Sequence, residues 1–136
     1  MADERRSIAI RDVRDVAVVR RAVAEAMERL GASALKKTRL VTAASELARN
    51  TLTHGGGGTL ELQLLRGAAG TGIVLIFSDK GPGIPDVAAA LRDGFTTGSG
   101  LGLGLGGAKR LCDEFEISSE VGAGTTVRVA GWLRRP

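Results

Sequence analysis

Glu46 and Asn50, in the run "SELARN", are a pair of side chains whose types and spacing could do chemistry together. Four residues apart on a helix, they project from one face, one above the other. A carboxylate beside a carboxamide suits a hydroxyl-activating base and a ligand of magnesium, a hard ion that takes oxygen donors and shares its shell with phosphates and water. A solvated helix pair is the plainer reading of the same spacing. Asp79 closes the apolar run "IVLIFS" and opens "DKGPGIP", in which Gly81 and Gly83 let a flat ligand approach the backbone. A carboxylate at that place needs donors. The exocyclic amine of adenine is one, and a β-turn begun by Asp79 is the alternative.

Six glycines fall within the ten positions from Gly98 to Gly107. Gly102, Gly104 and Gly107 match G-x-G-x-x-G, but no strand precedes them, and Lys109 stands between Ala108 and Arg110, so neither a dinucleotide fingerprint nor a Walker loop fits. What survives is the physics common to both: free backbone N–H groups with a helix N-terminus behind them favour an anion, the alternative being a tight structural loop. Leu101, Leu103 and Leu105 alternate with the glycines and need burial, which a flexible linker would not provide. "GAGTT", Gly122 to Thr126, reads alone as a hairpin turn, and His54, the single histidine, as a surface or helix-end residue.

These residues need a scaffold. Val16, Val19, Val23, Met27 and Leu30 recur at three- and four-residue steps and predict an amphipathic helix ended by Gly31. Ser33 can cap a second helix, with Leu40, Ala43, Ala44 and Leu47 as its apolar stripe. "TLELQLL" alternates as a half-exposed strand, and "IVLIFS" is apolar on both faces, as a central strand is. A short helix at "VAAALRD", a longer one from "LGGAKRL" and a closing hairpin complete the order. The pattern predicts one domain over residues 1–136, a two-layer α/β (α+β) sandwich with helices on one face of a mixed, mainly antiparallel sheet.

Composition excludes some classes. The chain of 136 residues carries a formal charge of +4, but acids sit among its N-terminal arginines, and it has no Tyr and only three Phe, so a nucleic-acid surface is not expected. No run is long enough for a membrane helix, and one cysteine, Cys112, makes no internal disulfide; the expectation is a cytoplasmic protein with neither membrane nor nucleic-acid partner.

In this order, "ELARN", "DKGPG", "GSGLGLG" and "GAGTT" resemble the N box, the D-x-G-x-G box, the second glycine box and the final Gly-Thr element of the GHKL superfamily of ATPases and kinases. Four ordered motifs from Glu46 to Thr126 are far more specific than any one, and the plainer readings hold only in isolation. The run from Phe95 to Val127 is similar to the RsbT-type serine/threonine switch kinases of bacterial partner-switching (stressosome) modules, a resemblance that spans nearly the whole chain. It implies a Bergerat-type fold, ATP with Mg²⁺, and phosphorylation of a STAS-domain antagonist protein, with a downstream phosphatase or regulator as a further partner.

Carried over by resemblance, Asn50 holds Mg²⁺, Asp79 accepts from the adenine amine, Gly81 and Gly83 shape the base pocket, and Thr125 lines it. Gly98, Ser99, Gly100, Leu101, Gly102, Leu103 and Gly104 form a lid over the phosphates, with the leucines tucked beneath, and Glu46 is the general base. Gly106 and Gly107 depart from the pattern, which has a bulkier or Pro-containing turn there. An anti-sigma kinase that sequesters a sigma factor is the alternative within the superfamily, and a non-catalytic ATP-binding module the alternative outside it. The intact Glu46 counts against the latter, since a binding module needs no base.

Overall fold

The computed structural model describes residues 3–68, 70–92 and 104–136. In chain order its elements are β1 (Glu4–Ile10), α1 (Val13–Arg29), α2 (Ala34–Thr53), β2 (Gly58–Leu65), β3 (Thr71–Asp79), α3 (Val87–Ala90), α4 (Gly104–Leu111), β4 (Glu114–Glu120) and β5 (Gly124–Arg134). Both long helices start where side chains can satisfy their free N–H groups. Asp12 accepts from the Arg14 amide at 2.8 Å, and Asp15 reaches back to the Asp12 amide at 3.2 Å, forming a capping box. Ser33 Oγ accepts from the Lys36 amide at 3.2 Å, as the sequence predicts. Gly31, at φ +79°, ends the first helix in the left-handed conformation that glycine adopts at little cost.

The strands form one five-stranded sheet in the order β1-β2-β3-β5-β4. Every pairing is antiparallel, so the sheet is not mixed as the sequence reading allowed. Helices connect the strands without a parallel crossover, because α1 and α2 together carry the chain from β1 back beside it. β3 is central, and its residues Ile73, Leu75 and Phe77 are almost fully buried beneath α1 and α2 with Val19, Val23, Leu40 and Leu47. No helix among the described residues is long and apolar enough to cross a membrane.

The other sheet face is covered in a different way. Trp132 lies over Val74 and Ala130, and its indole N–H donates to Glu114 Oε2 at 2.6 Å. That bond, with the Arg128 guanidinium, holds the Glu114 carboxyl below its ordinary range. α4 packs on α2 and touches α3. Gly106 permits this contact, since a Cβ there would run into the Leu91 carbonyl oxygen. The small residue that departs from the family's pattern is therefore what the packing of this chain demands.

Candidate functional site

α2 is the first wall of the site. Glu46, Asn50 and His54 succeed one another at four-residue steps along it, so they share a face. Asn50 and His54 line a pocket of about 230 Å³, together with Ile84, Pro85, Ala89 and Leu105. Glu46 is not part of that lining. Its side chain is 9% exposed, and its hydrogen-bond partner among the described residues is Arg49, whose Nη1 donates to Oε2 at 3.0 Å. His54 caps the C-terminus of α2, the helix end that the sequence reading gave it, but its place in the pocket was missed. The step of four from Asn50 was the available signal.

The second wall is the end of the sheet. Strand register sets Gly58, Asp79, Thr125 and Ser119 in one row across β2, β3, β5 and β4. Cross-strand partners present their side chains to the same face. Asp79 ends β3, as expected, and its Oδ1 accepts from the Gly81 amide at 2.8 Å, which makes it the first residue of a turn; like Glu46, neither it nor Thr125 is among the residues that line the pocket. Thr125 is buried at 7% exposure, and its Oγ1 lies 2.7 Å from Ser119 Oγ. Ser119 also accepts from the Ile84 amide at 2.7 Å, which ties the loop after β3 to β4. Sequence reasoning missed Ser119. Alternation in "EFEISSE" and the hairpin turn at Gly122 would have set it opposite Thr125.

Gly81 and Gly83 are required by close packing. A Cβ on Gly81 would lie 2.6 Å from the Gly55 Cα, at the end of α2, so this glycine joins the two walls. Gly83 sits at φ +80°, and a Cβ there would meet the Glu120 carbonyl oxygen, so the loop lies directly against the β4–β5 turn. The two walls thus meet at Gly55 and Gly81, and Ile84 belongs to both, as a pocket residue and as a partner of Ser119.

Gly98, Ser99, Gly100, Leu101, Gly102 and Leu103, the expected lid, lie outside the described residues. Gly104 begins α4 at φ +60° and lines the pocket, and Leu105 beside it is buried, as expected of the third leucine.

The apolar lining suits the ring of a purine nucleotide, and the expected base contacts Asp79 and Thr125 lie outside that lining. The pocket is bounded largely by Ile84, Ala89, Ala90 and Leu105, a flat apolar surround for a base, with few polar groups to orient it. Asp79 Oδ2 has no protein partner among the described residues and is free to accept. Among those residues no group of three His, Cys, Asp or Glu could hold a metal, so magnesium held by Asn50 would take most of its shell from phosphate and water.

Residues 11–130 match the histidine kinase-like ATPase domain. The chain is 39% identical over 120 residues to the serine/threonine-protein kinase RsbT of Bacillus subtilis, across 88% of this chain and 90% of that protein. It also superposes, at a TM-score of 0.66 and 21% identity, on the crystal structure of the RsbU and RsbW domains of a Mycobacterium tuberculosis protein. That match covers 98% of this chain and spans 33% of the longer one, and it is a likeness of fold.

Proposed function

Because the chain belongs to the histidine kinase-like ATPase family and, within it, to the RsbT-type serine/threonine kinases, we propose that it transfers the γ-phosphoryl group of ATP to a STAS-domain antagonist protein in the cytoplasm. The enzyme is an ATP-dependent serine/threonine protein kinase. The observation that carries the assignment of roles is the division along α2. Asn50 lines the pocket and Glu46, one turn earlier, does not. A base that serves a hydroxyl on another protein must sit outside the nucleotide pocket and beside its phosphate end.

In the proposed reaction the acceptor's hydroxyl oxygen bonds to the γ-phosphorus, the bond from that phosphorus to the β,γ-bridging oxygen breaks, and ADP leaves with the electron pair. Glu46 takes the hydroxyl proton, a role worth about 10²–10⁴-fold. Asp79 and Thr125 orient the base, and Gly98 to Gly104 supply backbone N–H groups to the phosphates. Magnesium, when bound through Asn50, neutralises charge on the transferred group. The STAS-domain acceptor rests on the resemblance of the lid-to-hairpin run, and a downstream phosphatase or regulator would act on the product of the transfer.

Calorimetry with ATP tests the magnesium assignment. Asn50→Ala should lose most of the magnesium-dependent gain in ATP affinity. An Asn50→Ala protein that binds ATP as tightly as the wild type, with the same magnesium dependence, would remove this residue from the site.

A further inference from the structure

The hydroxyl of Ser119 is engaged more fully than its place requires. β4 is an outer strand of the sheet, and Ser119 is its penultimate residue, between exposed Ser118 and Glu120. Its Oγ nevertheless has three neighbours: the Ile84 amide at 2.7 Å, Thr125 Oγ1 at 2.7 Å and the Gly124 carbonyl oxygen at 3.3 Å. A serine hydroxyl offers one proton and two lone pairs. The amide must donate, so it takes one lone pair. The carbonyl can only accept, so it takes the proton. One lone pair is left for Thr125. All three contacts are hydrogen bonds at once only if the Thr125 hydroxyl donates to Ser119.

That polarity has a consequence for a ligand. With its proton turned toward β4, Thr125 can offer a ligand only lone pairs, and its cross-strand partner Asp79 offers a carboxylate. We propose that Ser119 is a positioning residue for base selection, fixing Thr125 as an acceptor. An amine at position six of a purine is then complemented, and a carbonyl oxygen at that position meets only acceptors. Without Ser119 the Thr125 proton is free to rotate toward the ligand and donate to such a carbonyl. This inference rests on the reading that Asp79 and Thr125 hold the adenine end of ATP. Ser119 also anchors the Ile84 loop, so its loss weakens every nucleotide alike. The ratio of affinities therefore separates base selection from loop support.

The test is calorimetric titration of the magnesium complexes of ADP and of inosine diphosphate, whose base carries a carbonyl at position six. Wild type should favour ADP by roughly 10²-fold or more, because mismatched buried polar groups are left unpaired. Ser119→Ala should weaken both ligands and narrow the ratio roughly tenfold, the loss of about one hydrogen bond. Ser119→Thr, which keeps the hydroxyl, should retain the wild-type ratio. In a Thr125→Val background, which has no proton to redirect, adding Ser119→Ala should leave the ratio where it was. Should Ser119→Ala fail to fold, Ser119→Cys gives the same reading, since a thiol is a weak acceptor. A substituted protein that loses affinity for both ligands equally overturns the inference and leaves Ser119 as loop support. A wild type that does not distinguish the two ligands overturns the adenine reading, and the inference with it, before any substitution is made.

Discussion

The two ends of the site are built differently. At the sheet end, Asp79 accepts from Gly81, Thr125 is bonded to Ser119, and Ser119 holds Ile84, so polar groups are fixed by other protein groups before any ligand arrives. At the α2 end, Glu46 is held by Arg49, whose side chain is 39% exposed. An ion pair with one partner so open to water contributes little to stability and is readily exchanged. On the proposed roles, the difference follows from what each end would meet. A pocket for one invariant small molecule gains affinity from groups already in place. A base that must reach a hydroxyl on another protein has to be released to it, and a half-exposed arginine can swing away at low cost.

If the ends divide the work in this way, substitutions should separate transfer from binding. The largest effect belongs to Glu46→Ala, in which transfer falls by about 10²–10⁴-fold. Its ATP affinity and its complex with the acceptor protein should stay near wild type, as read by calorimetry. Loss of ATP binding in that variant would merge the two ends into one. Asp79→Ala acts at the other end, removing the acceptor for the base and the partner of the Gly81 amide. ATP affinity should fall by roughly 10²-fold, the cost of leaving buried polar groups unpaired.

A smaller effect tests whether the sheet end is rigid. Gly83→Val forces a β-branched residue to φ +80° against the Glu120 carbonyl. It should destabilise the fold by about 1–3 kcal/mol, seen as a melting temperature lowered by several degrees. An unchanged melting temperature would mean that the loop rests on β4 loosely. The smallest effect lies outside both ends. Burial, and then the nearby Asp113 charge, push the Cys112 thiol from its ordinary 9.0 up to about 12. The folded chain keeps that proton where the unfolded chain gives it up, so this group's contribution is complete below pH 9 and is lost as pH rises from there toward 12. Cys112→Ala should flatten that part of the pH–stability curve, and thiol reagents at pH 8 should label the wild type only on unfolding.

Much of this arrangement was legible in the sequence because it is local. The four-residue step from Glu46 to Asn50 needs only the helical period, and the end of β3 at Asp79 follows from an apolar run meeting a turn. The pairing of Asp79 with Thr125 was not legible, since it depends on the register of two strands far apart in the chain, whereas Ser119 lies opposite Thr125 across a local hairpin whose alternation and turn carried the signal. His54 was read correctly as a helix-end residue, but its pocket exists only where the loop around Ile84 and α3 fold back on α2. The Gly106 departure likewise had no meaning until α4 was seen against Leu91. Parallel pairing stayed open in the sequence because a helical connection permits either direction.

The central claim is that this chain moves phosphate from ATP to a serine or threonine of a STAS-domain protein. The direct measurement is transfer of labelled γ-phosphate by the wild type, with magnesium, to a STAS-domain protein that binds it, followed by identification of the phosphorylated amino acid. The account predicts one labelled serine or threonine on that partner, formed at stoichiometric yield and absent without the kinase. A wild type that binds both ATP and that partner yet leaves the partner unlabelled would contradict it.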